Sequence, residues 1–270
     1  MNANRWLPGR SEVTDVTLRV FCLPHAGGGA SAFRGWTTDQ PAGVEICAVQ
    51  LPGREDRIRE PLPGDIIALA RALADILLPY LDVPYVLVGN SIGGLVAFET
   101  ARHAEQRHCL PPVRLVVASC RPPGVGLGLP VLSGLADDEF TAVIHERYGG
   151  IPLEILRDPG RMAVFLPALR ADIAMSEAYL PSERPLLACP VTAVVGTDDM
   201  SLSYGDLKGW STFTEAAFDC TELAGDHFVL LSHREDVLGP ICAEAALVQP
   251  PAATVPGGGR SGSRAGSRPG

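Results

Sequence analysis

"YVLVGNSIGGLVAFE", residues 85–99, decides how this chain is read. Four apolar residues, two of them β-branched, run into Gly89, Asn90, Ser91, Ile92, Gly93 and Gly94, and an apolar pattern at helical spacing follows. Gly-x-Ser-x-Gly between a strand and a helix is the context in which a tight turn lifts a serine hydroxyl above the carboxyl edge of a sheet. The glycines two residues either side leave room where a Cβ would collide. Such a turn also puts the N–H of Ile92 at a helix N-terminus, where it can stabilise an oxyanion.

The rest of the chain repeats the rhythm of that stretch. "TLRVFCL" (17–23), "VEICAV" (44–49), "RLVVAS" (114–119), "PVTAVVG" (190–196) and "AFDCTEL" (217–223) join "YVLVG" (85–89) as apolar runs bounded by Gly, Pro or charge. They predict strands buried on both faces. Helical spacing recurs over 64–80 and 91–105, and Ser232 with Glu235 predicts a capping box opening a last helix through about Leu247. Strands alternating with helices give an α/β class with a mostly parallel sheet. About 70 residues between the strands at 114–119 and 190–196 break that rhythm. They carry helical patterns such as "ADDEFTAVIHERY" and predict a helical lid insertion, about 121–188.

Composition bounds the remaining possibilities. A chain of 270 residues, 46% hydrophobic, fits one domain, taken as 17–248 behind an N-terminal extension over 1–16. The stretch 249–270 is dominated by Pro, Gly, Ser and Ala, with three arginines and no acid, and predicts a disordered tail. A net charge of −9, made more acidic in the body by the loss of that tail, argues against a nucleic-acid partner. Seven scattered cysteines, no apolar leader and no membrane-length apolar window predict reduced thiols and a cytoplasmic protein with no membrane partner.

A nucleophilic serine needs a base, and the base needs an orienting acid. Of six histidines, His227 in "LAGDHFVLL" follows the last predicted strand, where the chain order Ser, Asp, His places the imidazole. His233 reads as a solvated first-turn residue, and His103 with His108 misses one helix face, so no metal pair is expected. "VVGTDDMSLS" offers Asp198 and Asp199 as the acid, and spacing does not choose between them; Asp226 reads as a loop residue bonded to backbone. "FCLPHAGGGASAFRGW" (21–36) supplies the loop for a second oxyanion donor. It has no GxGxxG register and no following Lys-Ser/Thr, which argues against a phosphate cradle, and "GVGLGL" (124–129) fails the same test at Leu129.

"LPHAGGGASAFRGW", "VQLPGREDRIREPL", "VGNSIGGLVAFE", "FLPALRADIAMSEAY", "CPVTAVVGTDDMSLSYGDLKGW" and "AGDHFVLL" together, over about residues 18–247, resemble the stand-alone type II thioesterases of polyketide and nonribosomal peptide biosynthesis, within the α/β-hydrolase superfamily. "PGREDR" and "LPALRAD" are the more distinctive parts, since generic esterases lack them. The resemblance implies an α/β-hydrolase fold and a Ser91, His227 and Asp199 triad with oxyanion donors at Ala26 and Ile92. It also implies no cofactor or metal of the protein's own. The substrate would be an acyl group on the phosphopantetheine arm of an acyl or peptidyl carrier protein, a transient partner. This chain departs from the family at Asn90, usually His, and at "DMSL", usually "DPEV". Asn90 is expected to act on the pocket wall or through hydrogen bonding beside the elbow, with Asn90→His active but changed in substrate preference or pH profile. "GREDRIRE" balances three arginines with three acids, and reads as a self-paired solvated loop or a docking patch. Alternative readings are a medium-chain fatty acyl thioesterase, an esterase, acyltransferase or cyclase of the same fold, and a binding module without catalysis.

Overall fold

A computed structural model describes residues 3–10, 13, 15–38, 40–107, 110–126, 131–181 and 186–248, with side chains through 244. The expected tail over 249–270, together with His108 and Cys109, lies outside the described residues. Six strands form one parallel sheet: β1 (Leu18–Leu23), β2 (Val44–Ala48), β3 (Tyr85–Asn90), β4 (Arg114–Ala118), β5 (Val191–Gly196) and β6 (Phe218–Leu223). They stand in the order β2-β1-β3-β4-β5-β6. Each lies within a residue or so of its predicted run. The first three are wholly buried because helices cover both faces. β6 departs from the expectation: unlike β2, the wholly buried strand at the other edge, it mixes half-buried and exposed residues.

The principal helices are α1 (Ile66–Leu77), α2 (Ile92–Gln106), α3 (Asp137–Tyr148), α4 (Pro159–Ala178) and α5 (Arg234–Val248). α1 begins where the Asp65 carboxylate accepts the Ala68 N–H at 2.6 Å. It then buries Ile66, Leu69, Leu73 and Leu77, one stripe of a 3.6-residue period, in the core shared with α2. Trp6 and Leu7, from the N-terminal segment, join this same core. On the other face Phe33, Trp36, Leu230 and Leu238 pack over Val20, Val86, Val88 and Val116. The predicted capping box at the last helix does not form there. Ser232 instead closes a short helix, Val229–Ser232, and α5 opens after His233, whose Nδ1 lies 2.6 Å from Asp236 Oδ2.

Between β4 and β5 the chain leaves the sheet and builds α3, a turn at Leu153–Leu156 and α4. Phe140, Ile144, Leu169 and Ile173 give this excursion a small core of its own. No described helix is long and apolar enough to cross a membrane.

The strand order places the site. From β2 the chain passes over β1 to β3, so the connections after β1 and β3 diverge at their carboxyl ends. In open α/β sheets a crevice forms at that switch point. Ser91 follows β3 there, and residues 24–29 follow β1.

Candidate active site

Ser91 holds φ 55° and ψ −126°, a positive-φ conformation that a non-glycine residue occupies at a cost of about 1–3 kcal/mol. The turn is tied down from both sides, by the Ser91 N–H to Ala118 O at 2.8 Å and the Gly94 N–H to Ser91 O at 2.9 Å. A Cβ on Gly93 would lie 2.5 Å from the carbonyl oxygens of Leu23 and Pro24, so α2 can approach the β1 loop only with glycine there. Ser91 stands at the N-cap of α2, a position where a serine hydroxyl commonly bonds the first turn. Here it makes no capping bond and instead lines a cavity of about 300 Å³ beneath the excursion.

His227 reaches that cavity from the loop after β6. Its Nδ1 lies 2.9 Å from Asp199 Oδ2, and both side chains are buried. Asp198 is exposed and makes no such contact, so of the two candidate acids it is Asp199 that the fold presents to the imidazole. Burial pushes the Asp199 carboxyl upward, but hydrogen bonds with His227 and Ser201 outweigh it and hold the group at about 2. The carboxylate is therefore ionised at neutral pH and keeps the imidazole proton on Nδ1, with Nε2 left as the basic nitrogen. Asp226 accepts the Phe228 N–H at 2.8 Å and acts within its own loop. His233, with its Nε2 2.9 Å from the Ala224 carbonyl oxygen, takes no part in the cavity.

Ala26 and Ile92 both line the same cavity. Ile92 opens α2, where the first N–H groups have no carbonyl partner within the helix. The loop bearing Ala26 is braced from far along the chain. Asp172 of α4 accepts the Gly27 N–H at 2.8 Å and takes Arg54 in a two-pronged pair, Nη1–Oδ2 2.5 Å and Nη2–Oδ1 2.9 Å. Arg54 Nη1 also donates to Gly28 O at 3.3 Å. "PGREDR" and "LPALRAD" thus meet at one buried ion pair behind the loop. This corrects the reading of "GREDRIRE" for two of its arginines: Arg54 and Arg57 are 3% and 4% exposed, while Glu55, Asp56, Ile58 and Arg59 stay at the surface. Arg57 pairs with Glu60 and covers the Trp6 ring at 4.2 Å.

His25 stands beside this loop with its ring edge-on to Phe228, centroids 4.7 Å apart. Burial lowers it to about 4, helped by repulsion from His227 and Arg54, so it is neutral at physiological pH. Tyr148, at the end of α3, covers the His227 ring edge-on at 4.9 Å, and burial raises its phenol. The cavity walls beyond are largely apolar, with Leu95, Ile144, Leu169, Ile173 and Leu180 among them.

Asn90 is fully buried and is not among the residues lining the cavity. Its Nδ2 donates to the His227 carbonyl oxygen at 3.4 Å, a link from the elbow to the histidine loop. The pocket-wall alternative for this residue is therefore corrected to a backbone contact behind the site.

Three contributors escaped the sequence reading: Ser201, Tyr148 and the Arg54–Asp172 pair. The pair spans 118 residues and leaves no local periodicity, although both of its motifs stood out as distinctive. Ser201 and Tyr148 had no signal beyond their neighbours. Among the described residues no group of three or more His, Cys, Asp or Glu could hold a metal.

Residues 18–244 match a family model described as "Thioesterase domain". Over 248 residues the chain is 32% identical to the gramicidin S biosynthesis protein GrsT of Aneurinibacillus migulanus, covering 92% of this chain and 96% of that protein. It is 39% identical over 253 residues to the AMB antimetabolite synthetase AmbE of Pseudomonas aeruginosa, covering 94% of this chain but 12% of that protein. Among solved structures, the type II thioesterase BorB from the borrelidin biosynthetic cluster aligns with a TM-score of 0.80 at 31% identity, covering 91% of this chain and 99% of BorB.

Proposed function

The chain belongs to the thioesterase domain family and is a thioester hydrolase, and from that premise we propose that it removes acyl groups from the phosphopantetheine arm of acyl or peptidyl carrier proteins as an editing enzyme, using Ser91, His227 and Asp199. The observation that carries this reading is the 2.9 Å pairing of His227 with Asp199 at the wall of the cavity that Ser91 also lines.

Each role follows from the chemistry of its group. Ser91 Oγ attacks the thioester carbonyl while His227 Nε2 takes its proton. Charge that develops on the carbonyl oxygen is met by the N–H groups of Ala26 and Ile92, which bind the tetrahedral intermediate more tightly than the planar ester. Collapse expels the pantetheine thiol, protonated by the imidazolium, and leaves an ester on Ser91. Water activated by the same histidine then attacks that ester and releases the acid. Asp199 stays ionised throughout and stabilises the imidazolium. The helical excursion supplies an apolar chamber for the acyl chain and acts as a lid through which the arm enters.

Support for the carrier-bound substrate comes from the relatives, since BorB belongs to the borrelidin biosynthetic cluster and GrsT to gramicidin S biosynthesis. The test is to incubate the protein with acyl-loaded carriers of several chain lengths and with the matching simple esters, following free holo-carrier by mass. Release from carriers well above hydrolysis of the esters is expected. Ester cleavage outpacing carrier deacylation would replace this reading with that of a small-molecule esterase.

A further inference from the structure

We propose that Ser201 is a positioning residue for the His227 imidazole, a third partner that fixes both the Asp199 carboxylate and the tautomer of the ring; this rests on the triad reading above. The Ser201 hydroxyl lies 2.6 Å from Asp199 Oδ1 and 3.0 Å from His227 Nδ1. The Ser201 backbone N–H donates to the same Oδ1 at 2.8 Å. Asp199 thus turns one oxygen to the imidazole and the other to Ser201, and the serine closes a ring of contacts among three side chains.

A hydroxyl has one hydrogen to give. The contact with Asp199 is the shorter and goes to a charged acceptor, which makes it the stronger of the two. The hydrogen therefore points at Asp199 Oδ1, and what faces His227 Nδ1 is a lone pair. Two acceptors, Asp199 Oδ2 and Ser201 Oγ, then surround Nδ1, and the ring satisfies both only when that nitrogen carries the proton. The other tautomer would set a bare nitrogen lone pair against two acceptors and leave Nε2 protonated, unable to take the Ser91 proton. The low value of Asp199 is partly the work of the same serine, through both its hydroxyl and its N–H.

The serine is itself held in place. Its carbonyl oxygen accepts from Arg121 Nη2 at 2.6 Å and Arg147 Nη2 at 3.5 Å, which fixes the backbone from which the hydroxyl reaches Asp199 and His227. Only 6% of the residue is exposed, which limits competition from water for its hydroxyl. Arg147 immediately precedes Tyr148, whose ring covers His227, so one end of α3 both pins this loop and covers the imidazole.

Ser201→Ala removes the hydroxyl and keeps the backbone donor to Asp199, which isolates the side chain. With octanoyl-N-acetylcysteamine as substrate, kcat is expected to fall about tenfold, the equivalent of roughly 1.4 kcal/mol, with KM within about twofold. The rate at which a fluorophosphonate labels Ser91 should fall by about the same factor. Ser201→Thr, which restores the hydroxyl, should recover both to within about threefold, and Ser201→Gly serves if the alanine variant fails to fold. Because Ser201 also lines the cavity, a rise in KM at unchanged kcat would mean that it only shapes the pocket, and would overturn the proposal. So would kcat and labelling rates in Ser201→Ala within twofold of wild type. A wild-type protein that hydrolyses the thioester without labelling at Ser91 would instead remove the triad reading, and this proposal with it.

Discussion

Replacing Arg54 with Met removes one half of the ion pair that braces the Ala26 loop. Asp172 is 1% exposed, and its carboxylate is held by two guanidinium contacts and the Gly27 N–H. With the guanidinium gone, a buried carboxylate keeps a single described donor, and breaking a buried pair in this way costs about 3–5 kcal/mol. Loss of an entire oxyanion donor costs about a hundredfold to a thousandfold in turnover. Loosening the loop beside one should cost less, roughly tenfold to a hundredfold. The double variant Arg54→Met/Asp172→Leu separates the two effects. It leaves no unpaired buried charge at this position, so most of the stability returns. With Asp172 replaced as well, Gly27 loses its acceptor and the loop its brace, so turnover should stay low. Urea unfolding followed by the fluorescence of the buried Trp36 and Trp210 reads the first quantity, and thioester hydrolysis the second. A single variant that loses under about 1 kcal/mol, or a double variant that regains full turnover, would refute this account of the loop.

Three further outcomes are expected. Gly93→Ala drives a methyl group against the Leu23 and Pro24 carbonyls at 2.5 Å and should cost about 3 kcal/mol with loss of turnover; normal stability in urea would show that the elbow is not so tightly packed. His25 binds its proton less readily folded, at about 4, than unfolded, near 6.5, so its contribution to stability is complete above pH 6.5 and shrinks as pH falls toward 4. That amounts to about 2 kcal/mol by pH 5, so His25→Asn should flatten the pH dependence of urea midpoints between pH 7.5 and 5, and parallel curves would contradict it. Asn90→His should keep turnover within about tenfold and leave chain-length preference unchanged, because the residue touches the His227 backbone rather than the cavity; a shifted preference profile would count against that placement.

Parallel strands covered on both faces appear in a sequence as nearly continuous apolar runs, which is why β1, β3 and β5 could be read directly. β6 was found by its boundaries, but its exposure was not, since no local pattern says which edge strand is left uncovered. The last helix shows the opposite case: Ser232 and Glu235 have capping-box spacing, but the Val229–Ser232 turn takes the serine first. At the site, strand ends and chain order constrain where Ser91 and His227 can lie, but they left Asp198 and Asp199 equal, and only the family resemblance pointed to Asp199. Ser201 was not legible, since a serine two residues beyond an acid is unremarkable until the loop folds back on the imidazole. Arg54 and Asp172 meet only through packing of the excursion over the sheet, and arginines in a charge-balanced stretch give no sign of burial.

The central claim is that Ser91 carries the acyl group between the carrier and water. Rapid-quench mass spectrometry of the protein mixed with an acyl-carrier thioester tests it most directly. The account predicts a transient acyl mass on the peptide containing Ser91, absent in Ser91→Ala, whose turnover should fall by on the order of a million-fold. Carrier deacylation at an undiminished rate in Ser91→Ala, or the acyl mass on another residue, would contradict it.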